Sequence, residues 1–170
     1  MKIRLPSLVA AVIVVCALAA PVRAQEAQPP RQQVISANPF GLLLEFFNAE
    51  YERAVSESAT MGIGGSYASY DDDLTEGDDS YLNTDVFVRY YPQGRVFDGW
   101  NFGAKAGLTR LDSGTYPGFG FDANRSWLLG RDENFYVGIG FGLKRLIGDV
   151  GPGEIDVIPT IRIVNVGFRF

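Results

Sequence analysis

The 170-residue sequence contains no histidine and a single cysteine, Cys16. The absence of histidine excludes a histidine-based catalytic triad and removes a common zinc ligand. After the first twenty or so residues, no apolar stretch reaches the roughly 20 residues that a membrane-spanning helix needs. The chain is acidic and has no basic patch, which argues against nucleic-acid binding. We therefore expect no enzyme activity, no cofactor and no metal site.

The N-terminus has the pattern of a secretory signal peptide. Lys2 and Arg4 form a charged region, residues 5–20 form an apolar core, and cleavage is predicted after Ala24. An uncleaved anchor helix is the alternative. Removing residues 1–24 takes away Lys2, Arg4 and Arg23, so 12 of the 15 basic residues remain against 20 acidic ones, a formal charge of −8. Cys16 leaves with the signal, and the mature chain needs no disulfide.

The remainder of the chain alternates between apolar and polar residues with a period of two, which is typical of β-strands. Residues 25–33 are polar and contain two prolines, and we expect a disordered leader there. The clearest strand is 135–144, where the odd positions are apolar and the even ones include three glycines. Eight strands are predicted in total, at 34–42, 48–55, 59–70, 81–91, 99–111, 117–129, 134–145 and 155–170.

The division of residues 34–55 into two strands is required by an even strand count; a single long strand there would give seven. The connections are expected to alternate in length, with short turns at 56–58, 92–98 and 130–133 and longer outward loops at 71–80, 112–116 and 146–154. The loop 71–80 carries six carboxylates. Hard divalent cations favour such oxygens, but the ligand spacing of a calcium loop is missing, so a solvated acidic tip is the preferred interpretation.

Alternation alone also fits a soluble sandwich, and two details favour a barrel instead. The second face of the strands carries glycine repeatedly, which suits the crowded lumen of an eight-stranded barrel. Aromatic residues gather near strand ends, where the girdles of a membrane barrel lie: Tyr90, Tyr91, Trp100, Trp127, Phe135, Phe168 and Phe170. The predicted fold is all-β, an antiparallel up-and-down eight-stranded transmembrane β-barrel formed by residues 34–170.

Following the alternation through every strand places four acidic and four basic residues in the lumen. They are Glu50, Glu52, Asp85, Arg89, Lys105, Asp122, Lys144 and Arg162. We expect them to pair and fill the interior, because unpaired charge is costly there; a catalytic carboxylate pair at Glu50 and Glu52 is the weaker alternative. In the last strand the apolar positions change from odd to even, which predicts a β-bulge at Ile163–Val164. Arg125 falls on the lipid face, close enough to a strand end to reach the headgroups.

Several segments resemble the small outer-membrane barrels of the OmpA/OmpX type. They are 48–53, 62–67, 86–92, 140–146 and the terminal 166–170. The resemblance implies an up-and-down barrel monomer in a Gram-negative-type outer membrane. It also implies that the last strand, with Val164, Val166, Phe168 and Phe170, is the signal read by the outer-membrane assembly machinery; Asn165 and Gly167 depart from that pattern.

Three functions remain open from the sequence. The first is a structural role in the cell envelope, with a lumen plugged by charge and no general pore. The second is surface binding or adhesion through the acidic outward loops, and the third is a soluble lipocalin-like carrier in the periplasm. The partners expected for the first are outer-membrane lipid, lipopolysaccharide and the assembly machinery.

Overall fold

The computed structural model describes residues 32–41, 46–71, 78–111, 114–148 and 156–170. Eight antiparallel strands form one closed barrel in chain order. The strands are β1 (Gln33–Ala37), β2 (Phe46–Ala54), β3 (Ala59–Asp71), β4 (Asp78–Tyr90), β5 (Gly99–Leu111), β6 (Gly114–Leu129), β7 (Phe135–Leu146) and β8 (Val157–Arg169). None of the described residues belongs to a helix long and apolar enough to cross a membrane.

The barrel has two distinct ends. Connections at 55–58, 91–98 and 130–134 lie at one end, which we name the turn end. The predicted difference in length between the two ends does not hold throughout, because β5 and β6 are joined by a shorter connection than β4 and β5. The remaining connections lie at the opposite end, the loop end. The barrel closes between β1 and β8, where Val34 pairs with Arg169 and Ala37 with Val166. The eight-stranded up-and-down fold predicted from the alternation is therefore confirmed.

Residues 34–55 form two strands, as the even count required, but the first strand is shorter than predicted. β1 ends at Ala37 because Asn38 turns the chain: its side-chain oxygen accepts a hydrogen bond from the Phe40 amide at 2.9 Å. Pro39, which has no amide hydrogen, then prevents the ladder from continuing. β2 begins at Phe46, two residues before the predicted start.

Two hairpins extend further toward the loop end than the sequence suggested. β3 and β4 remain paired to Asp71 and Asp78, within the predicted loop 71–80. β5 and β6 remain paired to Leu111 and Gly114, so the predicted loop 112–116 is wrong for residues 114–116. Continued pairing satisfies backbone donors that turn-like side chains alone would leave to water.

The bulge predicted in the last strand is present. Gly138 pairs with Asn165 and Gly140 with Arg162, so Ile163 and Val164 of β8 face the single residue Ile139 of β7. The extra residue keeps Ile161 and Ile163 on the exterior while Arg162 and Asn165 are both buried. Without it, one half of β8 would turn its apolar residues into the lumen.

Polarity is inverted relative to a water-soluble barrel. Among the described residues, 16 of the buried side chains are polar or charged and 8 are apolar, whereas 27 large apolar side chains are exposed. Phe121 is 67% exposed and Val86 54%, while Asn101, Thr109 and Lys144 are completely buried. The polar core therefore lies inside the barrel and the apolar surface outside.

Some predicted features lie outside the described residues. These are the signal peptide 1–24, the leader as far as residue 31, the centre of the acidic loop at 72–77, and residues 112–113 and 149–155. The leader prediction extends one residue too far, because Gln33 already belongs to β1, where its amide donates to the Phe170 carbonyl at 2.9 Å.

Candidate functional site

All eight charged residues predicted for the lumen point into it and are contributed by six strands, β2 and β4 to β8. They form two groups, a larger one around Arg89 and a smaller one around Lys144. Alternation is the cause, because side chains along a strand point inward and outward in turn and each charged residue occupies an inward position.

Arg89 of β4 is the centre of the larger group. Its guanidinium donates to both oxygens of Glu50, at 3.0 and 3.1 Å, and to Glu52 at 2.7 Å. Asp122 lies 3.7 Å from the Arg89 Nε, and the Phe87 ring lies under the guanidinium at 4.0 Å. One arginine thus joins three carboxylates from two sides of the barrel, and the forked geometry explains why lysine would not replace it.

Two further cations complete this group. The Nη2 of Arg162 lies 2.8 Å from the Glu50 carboxylate, across the β1–β8 closure. Lys105 Nζ lies 3.5 Å from Asp122 and donates to the Thr160 hydroxyl at 2.5 Å. The group therefore links β2, β4, β5, β6 and β8 across the lumen.

The smaller group is a lysine held by an acid and an amide. Lys144 Nζ lies 2.5 Å from Asp85 and 2.6 Å from the side-chain oxygen of Asn83. Asn83 also accepts from the Thr109 hydroxyl and donates to Asp85. A fully buried ammonium requires such partners, since an isolated charge loses its hydration without compensation.

Taken together, the two groups contain four carboxylates and four cations and are formally neutral. Glu50 and Glu52, considered above as a catalytic pair, both bind Arg89 instead. Among the described residues there is no group of three or more side chains arranged to hold a metal ion. The arrangement binds strands together rather than presenting reactive groups.

Side-chain amides extend the polar core, and the predicted set of lumen residues did not include them. Asn124 donates to Asn101 at 3.0 Å and to Asp122 at 2.5 Å. Asn165 donates to Asn48 at 2.7 Å, which joins β8 to β2 inside the barrel. Asparagine is unfavourable in most strands, so its recurrence at inward positions was the signal that could have revealed these contacts.

An apolar seal closes the turn end, and this too was missed. Phe97, in the connection between β4 and β5, is completely buried against Val34, Ala54 and Tyr136. Val96 and Leu128 pack around the cluster. Phe97 has a φ of 68°, a left-handed conformation that is rare for an aromatic residue. The connection predicted only as a turn therefore folds its aromatic side chain into the barrel mouth.

Tyr91 corrects the predicted aromatic girdle. It is completely buried instead of facing lipid, and its hydroxyl donates to Glu52 at 2.9 Å. Its ring meets Phe97 edge-on with centroids 6.4 Å apart. Burial, with the nearby Glu52 carboxylate, raises the pKa of the Tyr91 phenol well above its ordinary value. Tyr91 is thus a neutral donor that connects the apolar seal to the charged network.

A cavity of about 650 Å³ lies between the charged network and the loop end. Asn48, Ser66 and Asn83 line it together with Lys105 and Thr160, and Phe46, Tyr81 and Leu111 border it near the strand ends. The lumen is therefore not filled evenly: space remains on the loop side of the Arg89 group, beside Asn83 and Asp85 of the smaller group.

Glycine on the inward face makes room for the network. A side-chain carbon at Gly140 would collide with the Asn124 amide, and one at Gly103 would collide with the Asp122 carboxylate. The predicted reason for the glycines, a crowded lumen, agrees with these contacts.

The residues of the predicted assembly signal lie on the exterior of β8. Phe168 and Phe170 are 61% and 52% exposed, and Val164 and Val166 are half-buried. The ring of Phe168 packs edge-on against Phe135 of β7, with centroids 6.1 Å apart. All four side chains therefore belong to the apolar outer surface.

The fold has a counterpart among solved structures. The crystal structure of the N-terminal β-barrel domain of Pseudomonas aeruginosa OprF matches with a TM-score of 0.51 and 13% sequence identity, covering 84% of this chain and 100% of that chain. No family model and no curated protein matches the sequence. At this identity the likeness supports the barrel fold alone.

Proposed function

We propose that this chain is a small integral barrel of the outer membrane, with a structural role in the cell envelope and a lumen closed to general diffusion. The observation that carries the proposal is the inverted polarity: the barrel exposes its apolar side chains and buries its charges. A water-soluble protein rarely exposes contiguous apolar patches beyond several hundred Å². In a membrane, exposed apolar side chains are favourable, because they contact the apolar acyl chains of the lipid.

Strand length supports the same placement. Six strands have 12 to 16 residues. A tilted strand needs about 9–11 residues to cross a bilayer. Closure of the barrel leaves no unpaired strand edge, which is what lipid requires of any spanning sheet. The start of β1 and the end of β8 both lie at the turn end, and we place this end on the periplasmic side.

Two barriers support a closed lumen. Phe97 and its apolar neighbours occupy the turn end, and the Arg89 group crosses the middle. Solute passage would require both to move, and breaking the ion pairs would leave charges exposed in a region of low dielectric constant. A structural role is therefore a better fit than a general pore or a catalyst.

The exterior argues against the soluble carrier considered from the sequence. A soluble carrier needs a polar outer surface, whereas 27 large apolar side chains are exposed among the described residues here. Binding or adhesion through the outward loops concerns segments that lie largely outside the described residues, and no contact among the described residues favours it. Exchanging the sequence of loop 71–80 and measuring cell-surface binding tests that alternative.

Heat-modifiable gel migration of the membrane fraction tests the main proposal. A folded membrane barrel in an unheated detergent sample migrates differently on a gel from the same protein after boiling, and we expect that shift here. We also expect the protein in the outer-membrane fraction of the cells. Reconstituted vesicles should show no more sugar-driven swelling than empty ones. Recovery in the soluble periplasm without a gel shift would refute membrane placement, and strong swelling would refute the closed lumen.

The proposed partners follow from this placement. Lipid and lipopolysaccharide surround the exterior, and the assembly machinery reads the apolar side chains of β8 at Val164, Val166, Phe168 and Phe170. Replacing Phe170 with serine should reduce the amount of barrel that reaches the outer membrane, while leaving refolding of the purified chain in detergent unchanged. We expect the barrel to be a monomer, so chemical cross-linking should leave it at the mass of a single chain.

A further inference from the structure

One arginine on the outer wall has no charged partner within the described part of the chain. Arg125 of β6 points outward, half-buried, four residues before β6 ends at the turn end. Its paired neighbours on the adjacent strands are Trp100 of β5 and Ile139 of β7. No carboxylate forms an ion pair with it in the described structure, and its contacts there are with aromatic rings.

Two indoles flank the guanidinium. The Trp100 ring centroid lies 5.8 Å from the Arg125 Cζ, and the Trp127 centroid lies 5.6 Å from it. Tryptophan at a membrane interface places its apolar ring among the acyl chains and its N–H near the headgroups. The two tryptophans therefore place the Arg125 guanidinium at the depth of the membrane interface.

The guanidinium is also directed toward the turn end. The Nη1 of Arg125 lies 3.9 Å from the position that a side-chain carbon of Gly99, the first residue of β5, would occupy. The side-chain oxygen of Gln93 borders the same position at 2.8 Å. A side-chain carbon at Gly99 would collide with the Gln93 side chain, and the positive φ of +120° also makes that position unsuitable for most other residues.

We propose that Arg125, Trp100 and Trp127 form a binding site for the phosphate of an anionic glycerophospholipid in the periplasm-facing leaflet. The inference rests on the proposed membrane placement. Arg125 supplies forked donors suited to a phosphate, the indoles pack on the glycerol and upper acyl chain, and the uncompensated positive charge selects an anionic headgroup. The site anchors the β5–β6 wall at a fixed depth.

The sequence offers a direct probe, because Trp100 and Trp127 are the protein's two tryptophans. All tryptophan emission therefore comes from the proposed site. We would reconstitute the barrel in phosphatidylcholine vesicles that contain a fixed fraction of brominated lipid, with bromines near the glycerol end of the chain. The headgroup of the brominated lipid is either phosphatidylglycerol or phosphatidylcholine, and the ratio of quenching gives the relative affinity.

The wild-type protein should favour the phosphatidylglycerol form by about fivefold, the effect expected of one basic residue at an anionic surface. Arg125→Gln should bring the ratio close to one, and Arg125→Lys should give an intermediate value because it keeps the charge without the fork. Arg131→Gln, which removes an exposed arginine from a turn at the same end, is the matched control and should leave the ratio unchanged.

Two results would overturn the site: a wild-type ratio near one, or a ratio that Arg125→Gln leaves unaltered in a barrel that still shows the gel shift. Displacement of the brominated lipid by millimolar inorganic phosphate would also refute a lipid-specific site. Absence of quenching by either lipid would mean that the tryptophans do not contact the membrane, and then the proposed membrane placement itself fails.

Discussion

The apolar seal at the turn end gives the sharpest test of the structure, through two substitutions of Phe97. The side chain is completely buried among Val34, Ala54 and Tyr136, and its ring contacts Tyr91. Truncation of a buried phenylalanine to alanine costs about 3–5 kcal/mol of unfolding free energy. Phe97→Ala should lower the free energy of unfolding by an amount in that range, because the barrel wall cannot move inward to fill the cavity that the missing ring leaves.

Phe97→Gly should be less destabilising than Phe97→Ala, which reverses the usual order. Both variants lose the ring, but alanine still has to adopt the left-handed φ of 68°. That conformation costs a residue with a side chain roughly 1–2 kcal/mol, and glycine adopts it freely. After allowing for the greater freedom of glycine in the unfolded chain, the glycine variant should be more stable by about 1 kcal/mol.

Stability is measured by urea unfolding in detergent micelles. The folded fraction is the fraction of the protein that migrates as the folded band when unheated samples are run on a gel. Arg95→Ala is the control from the same turn; its side chain is 62% exposed and pairs with Asp98 at 2.9 Å, so its loss should cost no more than about 1 kcal/mol. A cost below 1 kcal/mol for Phe97→Ala would refute the seal. Equal stability of the alanine and glycine variants would refute the strained turn.

Three further outcomes follow from the lumen. Arg89→Met should cost about 3–5 kcal/mol in the same assay, because buried carboxylates lose their partner; Arg131→Met, in an exposed turn, should stay within about 0.5 kcal/mol. Burial raises the pKa of Tyr91, so as pH rises the tyrosine ionises in the unfolded chain before it does in the folded one. The free energy of unfolding should therefore fall as pH rises above about 10. Tyr91→Phe should reduce this loss of stability at alkaline pH, and an unchanged pH dependence would contradict the explanation. Gly103→Ala should cost about 1–3 kcal/mol by displacing Asp122, whereas Gly65→Ala, which meets only a carbonyl oxygen at 3.4 Å, should be nearly neutral.

The barrel wall was predictable because alternation is a local property. The inward residues of β4, such as Asp85 and Arg89, occupy every second position, so the face of a charged residue follows from counting along the strand. The bulge at Ile163–Val164 was predictable for the same reason, since a change of parity has a single simple structural cause. Strand ends were less predictable, because pairing with a neighbour can carry a strand through residues that look like a loop, as at Asp78.

The contents of the lumen were only half predictable. Parity identified which charges face inward, but which partners they choose depends on register and shear, and Arg89 reaches Asp122 two strands away. Phe97 escaped altogether, because it belongs to a turn and no periodicity applies there. Tyr91 was assigned to the lipid-facing girdle, although its position has the same inward parity as Asp85 and Arg89 and it is buried. A turn residue that folds back into the barrel shows itself in the sequence only as an aromatic residue among Pro92, Gln93 and Gly94.

Tyr91 explains why the two barriers of the lumen belong together. Its ring packs on Phe97 and its hydroxyl donates to Glu52, so one side chain contacts both the apolar seal and the charged network. The seal keeps water from the turn end away from the ion pairs, and lower local polarity strengthens each of them. The network in turn holds β2 and β4 in register at the height where the seal packs. The seal and the network therefore support each other at the turn end, and the cavity lies on the loop side of the network, where Glu50, Arg89 and Lys105 form part of its lining.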